Sequence, residues 1–167
     1  MKAYKFLAAD GAGVFSRFAW PLPNGHPGDW VESEVLTCRS GIHACRPLDL
    51  PYWVAPVLYE IELDGPVEEQ GIKVVAPRGR LIRSIEEWDD ETRRAYAEMC
   101  IARAQELAAS APEPGDDWAP IAEMAAAGPA LMSFMAARIA ERLGGVDAYV
   151  DERMRQSAWL VERLKID

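Results

Sequence analysis

The chain has 167 residues, half of them apolar and 27% charged, and a net charge of −9. This is the composition of a compact soluble domain with room for a helical extension, and its negative balance opposes general affinity for nucleic acid or an anionic membrane. No apolar run approaches the ~18 residues a membrane-spanning helix needs, the N-terminus MKAYKFLAADGAGVF lacks the long apolar core of a signal peptide, and three cysteines without an export signal point to reduced thiols in a cytoplasm.

Taken in chain order, residues 1–88 read as a β-rich domain and residues 89–167 as a helical region. AYKFLA and GVFSRFAW are short aromatic-rich runs around Asp10-Gly11, a favoured hairpin turn pair. PLPNGHPGDW is too punctuated by proline and glycine for regular structure. RPLDLPYWVAP has room for about two helical turns, limited by Pro51. In VLYEIELDG, Val57, Tyr59, Ile61 and Leu63 alternate with Leu58, Glu60, Glu62 and Asp64, the pattern of a strand with one buried face. IKVVA and RLIRSI follow as two further strands joined by PRG.

The period then changes. Asp89 or Asp90 caps a helix running to about Ser110, with Tyr96, Met99, Cys100, Ala104 and Leu107 along one side. APEPGDD breaks it, Trp118 to Ala127 forms a short helix, and another carries Leu131, Met135 and Ile139 up to Gly144-Gly145. A last helix spans about Val146 to Leu164. The expectation is an α+β fold: a small β-sheet in the N-terminal half, with the C-terminal helical region packed on it.

The chemistry concentrates in TCRSGIHAC. Cys38, His43 and Cys45 are three soft donors, and His26 could be a fourth. Their C-x4-H-x-C spacing lacks the paired knuckle of a structural zinc site, and Cys100 falls inside an expected helix, so no metal ligands are assigned. Nor is the pair Cys38 and Cys45 a CxxC redox motif, and buried small thiols are the commonest fate of such cysteines. His43, between them on a short strand, is the first candidate for a catalytic group, against the ordinary role of a buried, hydrogen-bonded histidine.

The longer stretch CRSGIHACRPLDLPYW…LYEIELDG…VVAPRGRLIRSIEEW resembles a domain family of phage and bacterial proteins marked by a Cys-x-x-Gly-x-His-Ala-Cys core. That resemblance covers roughly residues 1–88 and brings no activity with it. More distantly, the order of elements is similar to small ADP-ribosyltransferase-like domains, including the rifampin-modifying type. The resemblance implies that GIHACRPLDLPYW, with His43 and Trp53, lines an NAD cleft, and that Glu68 or Glu69 lies near the acidic position. Where those enzymes carry His or Arg on the first strand, AYKFLAAD offers Lys5 and Asp10. Arg78 and Arg80, in the basic cluster with Lys73 and Arg83, would contact phosphate through their guanidinium forks; solubilising charge at a strand end is the ordinary alternative.

The functional expectation is therefore a cleft for a nucleotide-like small molecule, with NAD as candidate cofactor. Two alternatives stand beside it: a non-catalytic protein that binds a protein partner through its helical half, and a zinc-stabilised module.

Overall fold

The computed structural model describes residues 1–36, 40–111 and 128–167. Cys38 and the helix expected over 118–127 lie outside the described residues. The chain divides into two compact units, residues 1–86 and 87–167, and its class is α+β, with strands in the first unit and helices in the second.

The first unit holds β1 (Lys2–Leu7), β2 (Val31–Glu32), β3 (Ile42–Ala44), a 3-10 helix (Pro47–Tyr52), β4 (Val57–Asp64), β5 (Glu68–Glu69), β6 (Val74–Ala76) and β7 (Arg78–Ser84). They form a four-stranded sheet in the order β1-β4-β7-β2 and a three-stranded sheet in the order β3-β6-β5, with every pairing antiparallel. The sheets come together most tightly at two places. The chain passes from β6 to β7 through Pro77 alone, and Tyr4 and Cys45 exchange both backbone hydrogen bonds, at 2.9 and 2.8 Å. The sheets thus share a closed circuit of strands around one core of Ala3, Leu7, Ile42, Ala44, Ile61, Leu63, Val74, Ala76 and Leu81. Burying such aliphatic side chains is the main stabilising term of a unit this small.

Local details follow the residue types. The β4–β7 register shifts between Glu60 and Ile61, where Ile82 is the extra residue on β7, and the acids of β4 face a row of arginines on β7: Arg83 pairs with Glu60, Arg80 with Glu62 and Arg78 with Asp64. Leu58 departs from the expected alternation. It lies opposite Phe6 across the ladder and is fully buried. The Asp10-Gly11 turn forms, with Gly11 at a φ of 77° and the Asp10 carboxylate accepting from the Ala12 N–H. The run after it does not return as a strand. It bridges to β1 from Gly13 to Leu7 and then curls at Arg17, whose φ is 55° and whose side chain binds Asp10.

In the second unit, α1 (Asp90–Ala109) is capped by Asp89, which accepts from the Thr92 N–H at 2.7 Å. α2 (Pro129–Leu164) is two helical segments that meet at a kink at Gly145, which has a non-helical φ of 79°, so the Gly-Gly pair ends the first segment as expected. The helices meet through Tyr96, Cys100 and Ala104 of α1 and Met132, Ala136 and Leu160 of α2, all buried. A buried polar cluster lies among them: Tyr96 donates to Ser133, Ser133 to the Gln156 side chain, and Arg153 to both Ser133 and Gln156.

Candidate functional site

Strand alternation decides which side chains leave the core. On β3, Ile42 and Ala44 point inward, so His43 points out. The register sets His43 opposite Val75 and Ala44 opposite Val74. Lys73, one residue before β6, therefore falls on the His43 side of this sheet. Gly41 starts the strand at a φ of 122°, and a Cβ there would stand 2.5 Å from a Val75 methyl. Only glycine brings the chain into β3 at this angle.

The outward side chains wall a cavity of about 130 Å³, lined by Tyr4, Lys5 and Phe6 of β1, Gly13–Ser16 of the following loop, His43–Cys45, Trp53 and Lys73. Trp53 is fixed by its indole N–H, which donates to the Ile72 carbonyl at 2.7 Å. Phe15 meets the Trp53 ring edge-on, with centroids 6.3 Å apart, yet is itself 84% exposed. An apolar ring left in water beside a tryptophan gives the cavity mouth an aromatic rim.

Charge in this cavity runs against the rest of the chain. Lys5 reaches the His43 carbonyl at 2.6 Å and lies over the Trp20 ring at 4.8 Å. Burial brings its ammonium down to about 8. His43 is also pushed below the ordinary imidazole value, by burial first and then by Lys73 and Lys5. Its Nε2 is shielded from solvent, with no hydrogen-bond partner among the described residues. Among the described residues, neither Lys5 nor Lys73 has a carboxylate partner. Three basic side chains thus converge on one small cavity of an acidic protein.

Cys45 contributes shape rather than reactivity. Its thiol donates to the Tyr4 carbonyl at 3.2 Å, and burial pushes it far above the usual thiol range, so it stays protonated. Among the described residues, no group of three His, Cys, Asp or Glu side chains could hold a metal ion.

Of the residues singled out by sequence, His43 and Trp53 come together in this cavity. Glu68 and Glu69 lie on the exposed edge strand β5. Glu68 shares the cross-strand row of His43 and Val75, two strand spacings or roughly 10 Å away along the backbone, while Glu69 is bound by Arg46. Arg78 and Arg80 stand on β7, stacked on the Trp30 ring at 4.3 and 4.4 Å and paired with Asp64 and Glu62. Their guanidinium charge is already engaged.

Sequence reasoning passed over Phe15, and it gave Lys5 no role. The available signal was Lys5 itself, one cation inside an otherwise apolar strand, AYKFL. Comparison with protein-family models, with curated proteins and with solved structures returned no match.

Proposed function

We propose that this cavity binds the anionic end of a small, ring-bearing molecule, nucleotide-like in chemistry. The observation that carries the reading is the convergence of Lys5, His43 and Lys73 beneath the Phe15–Trp53 rim, with both lysines lacking a carboxylate partner among the described residues. Uncompensated cations held close together cost free energy, which a bound phosphate or carboxylate recovers as charge-assisted hydrogen bonds. The rim supplies the apolar face for the ring.

Size refines the reading. At about 130 Å³ the cavity is smaller than the several hundred Å³ that enclose a drug-sized ligand. It suits a phosphate or carboxylate and the edge of one ring, with the remainder of the molecule outside. The NAD-cleft expectation thereby narrows to the recognition of one nucleotide end. In an ADP-ribosyltransferase-like reading, Glu68 is the acid whose row leads toward His43, while Glu69, Arg78 and Arg80 serve as structural ion pairs.

Calorimetric titration of the full chain with AMP, adenosine and inorganic phosphate tests this. AMP is expected to bind one to one, at least tenfold more tightly than adenosine, and to lose roughly 10- to 150-fold in affinity on Lys73→Met, as removal of one charged hydrogen bond implies. Equal affinity for AMP and adenosine, or AMP binding indifferent to Lys73→Met and His43→Ala, removes the assignment.

A further inference from the structure

The chain uses fourteen arginines but only four lysines, Lys2, Lys5, Lys73 and Lys165, and two of those four line this one cavity. Arginine keeps its proton at any working pH, whereas a lysine in a desolvated site can release it and become a nucleophile. Lys5 has the surroundings for that change. It stands on β1 between buried Tyr4 and Phe6, its nitrogen touches a backbone carbonyl rather than a carboxylate, and its neighbours His43 and Lys73 add positive charge or a neutral ring, never a negative one.

We propose that Lys5 captures a carbonyl: it forms an imine with an aldehyde or ketone group on the anionic ligand of this cavity, while Lys73 holds the anion. The inference rests on the binding reading above and adds a covalent step to it. The amine lone pair attacks the carbonyl carbon and a C–N bond forms. The carbonyl oxygen leaves as water, carrying both hydrogens that the amine nitrogen gives up, so no oxidant or reductant is needed. His43, kept neutral by its surroundings, is the adjacent group able to take a proton from nitrogen and return it to the departing oxygen. The lowered basicity of Lys5 leaves a usable fraction of free amine near neutral pH. The ligand class is thus narrowed to small phosphorylated or carboxylated aldehydes and ketones, with a ring or other apolar face for Phe15 and Trp53.

Pyridoxal 5′-phosphate combines an aldehyde, a phosphate and one ring, and serves as the probe. The full chain is treated with one equivalent, reduced with borohydride, and the adduct mapped over the four lysines and the N-terminal amine. The expected result is a single adduct on Lys5, reduced at least tenfold by Lys5→Arg, which keeps the charge and lacks the amine, and suppressed by excess pyridoxine 5′-phosphate, which lacks the aldehyde. Labelling spread evenly over Lys2, Lys165 and Lys5, or centred on Lys73, overturns the inference. If pyridoxine 5′-phosphate binds and Lys73→Met weakens it, yet no Lys5 adduct forms, the covalent step falls and the binding site stands. If neither compound binds, both fall together.

Discussion

Replacing Lys5 by methionine is expected to stabilise the protein at neutral pH while weakening its site. Burial lowers the Lys5 ammonium from 10.5 to about 8, and each unit of such a shift corresponds to about 1.4 kcal/mol, so holding the charge in place costs about 3 kcal/mol. Against this stand the hydrogen bond to the His43 carbonyl and the contact with Trp20, each worth about 1 kcal/mol. Methionine fills similar space without charge, which leaves a net gain of about 1–2 kcal/mol at pH 7.

The pH dependence has a definite sign. Between about 8 and 10.5 the unfolded chain binds the Lys5 proton and the folded chain has released it. The penalty is therefore complete below pH 8 and disappears as the pH rises toward 10.5. His43, whose imidazole the Lys5 charge helps push down, is already largely neutral at pH 7, and the buried Cys45 thiol stays protonated, so neither adds a step between pH 7 and pH 10. Urea unfolding of the native chain and of Lys5→Met at pH 7 and pH 10 measures it. The variant should be the more stable at pH 7, with its advantage largely gone at pH 10. A variant less stable at pH 7, by an amount that does not change with pH, would refute the reasoning that Lys5 is held at a cost.

Other outcomes follow from the same geometry. The His43 imidazole should titrate below the ordinary histidine range in a proton NMR series. Because the unfolded chain takes up that proton first, His43 should also subtract stability as the pH falls below about 6.5; a normal titration would contradict its enclosure beside two lysines. Gly41→Ala should cost about 2–3 kcal/mol in denaturant unfolding, since a Cβ meets Val75 at 2.5 Å on a φ of 122°; a neutral effect would argue against the tight entry into β3. Cys45 and Cys100 should resist iodoacetamide in the folded chain at pH 8, because burial raises both thiols, Cys100 to about 12. Rapid labelling of either, read by mass spectrometry, would contradict that.

The α+β class was legible because the hydrophobic period changes once, from two in VLYEIELDG to helical spacing after Asp89. Caps and breakers marked α1 and the interruption of α2 for local reasons: Asp89 accepts from the first turn and Gly145 adopts a positive φ. The two-residue strands β2 and β5 were not legible, since pairing with β7 and β6 makes them strands and nothing in their own residues does. Leu58 was misplaced by the alternation rule because both faces of β4 are covered at this end: Leu58, opposite Phe6, and Tyr59 are both buried.

Of the cavity lining, His43 and Trp53 were singled out in the sequence, where a glycine turn, a short strand and an aromatic stand close together. Lys5 lies 38 residues from the carbonyl it binds, and Phe15 sits on a loop placed by the Leu7–Gly13 bridge to β1 and the Ala12–Ala19 bridge within it. Those partners are set by tertiary closure. Arg78 and Arg80 looked available because β4 and β7 are separate runs in sequence, and their register is what joins these arginines to Asp64 and Glu62.

The most direct test is an NMR titration of the isotopically labelled chain with AMP, following the backbone amides. Saturable shifts clustered at residues 4–6, 13–16, 43–45, 53 and 73 are predicted, with the largest beside Lys5 and Lys73. Shifts centred on Trp30, Arg78 and Arg80, or no saturable shifts at millimolar AMP, would contradict a nucleotide-end site between β1 and β3.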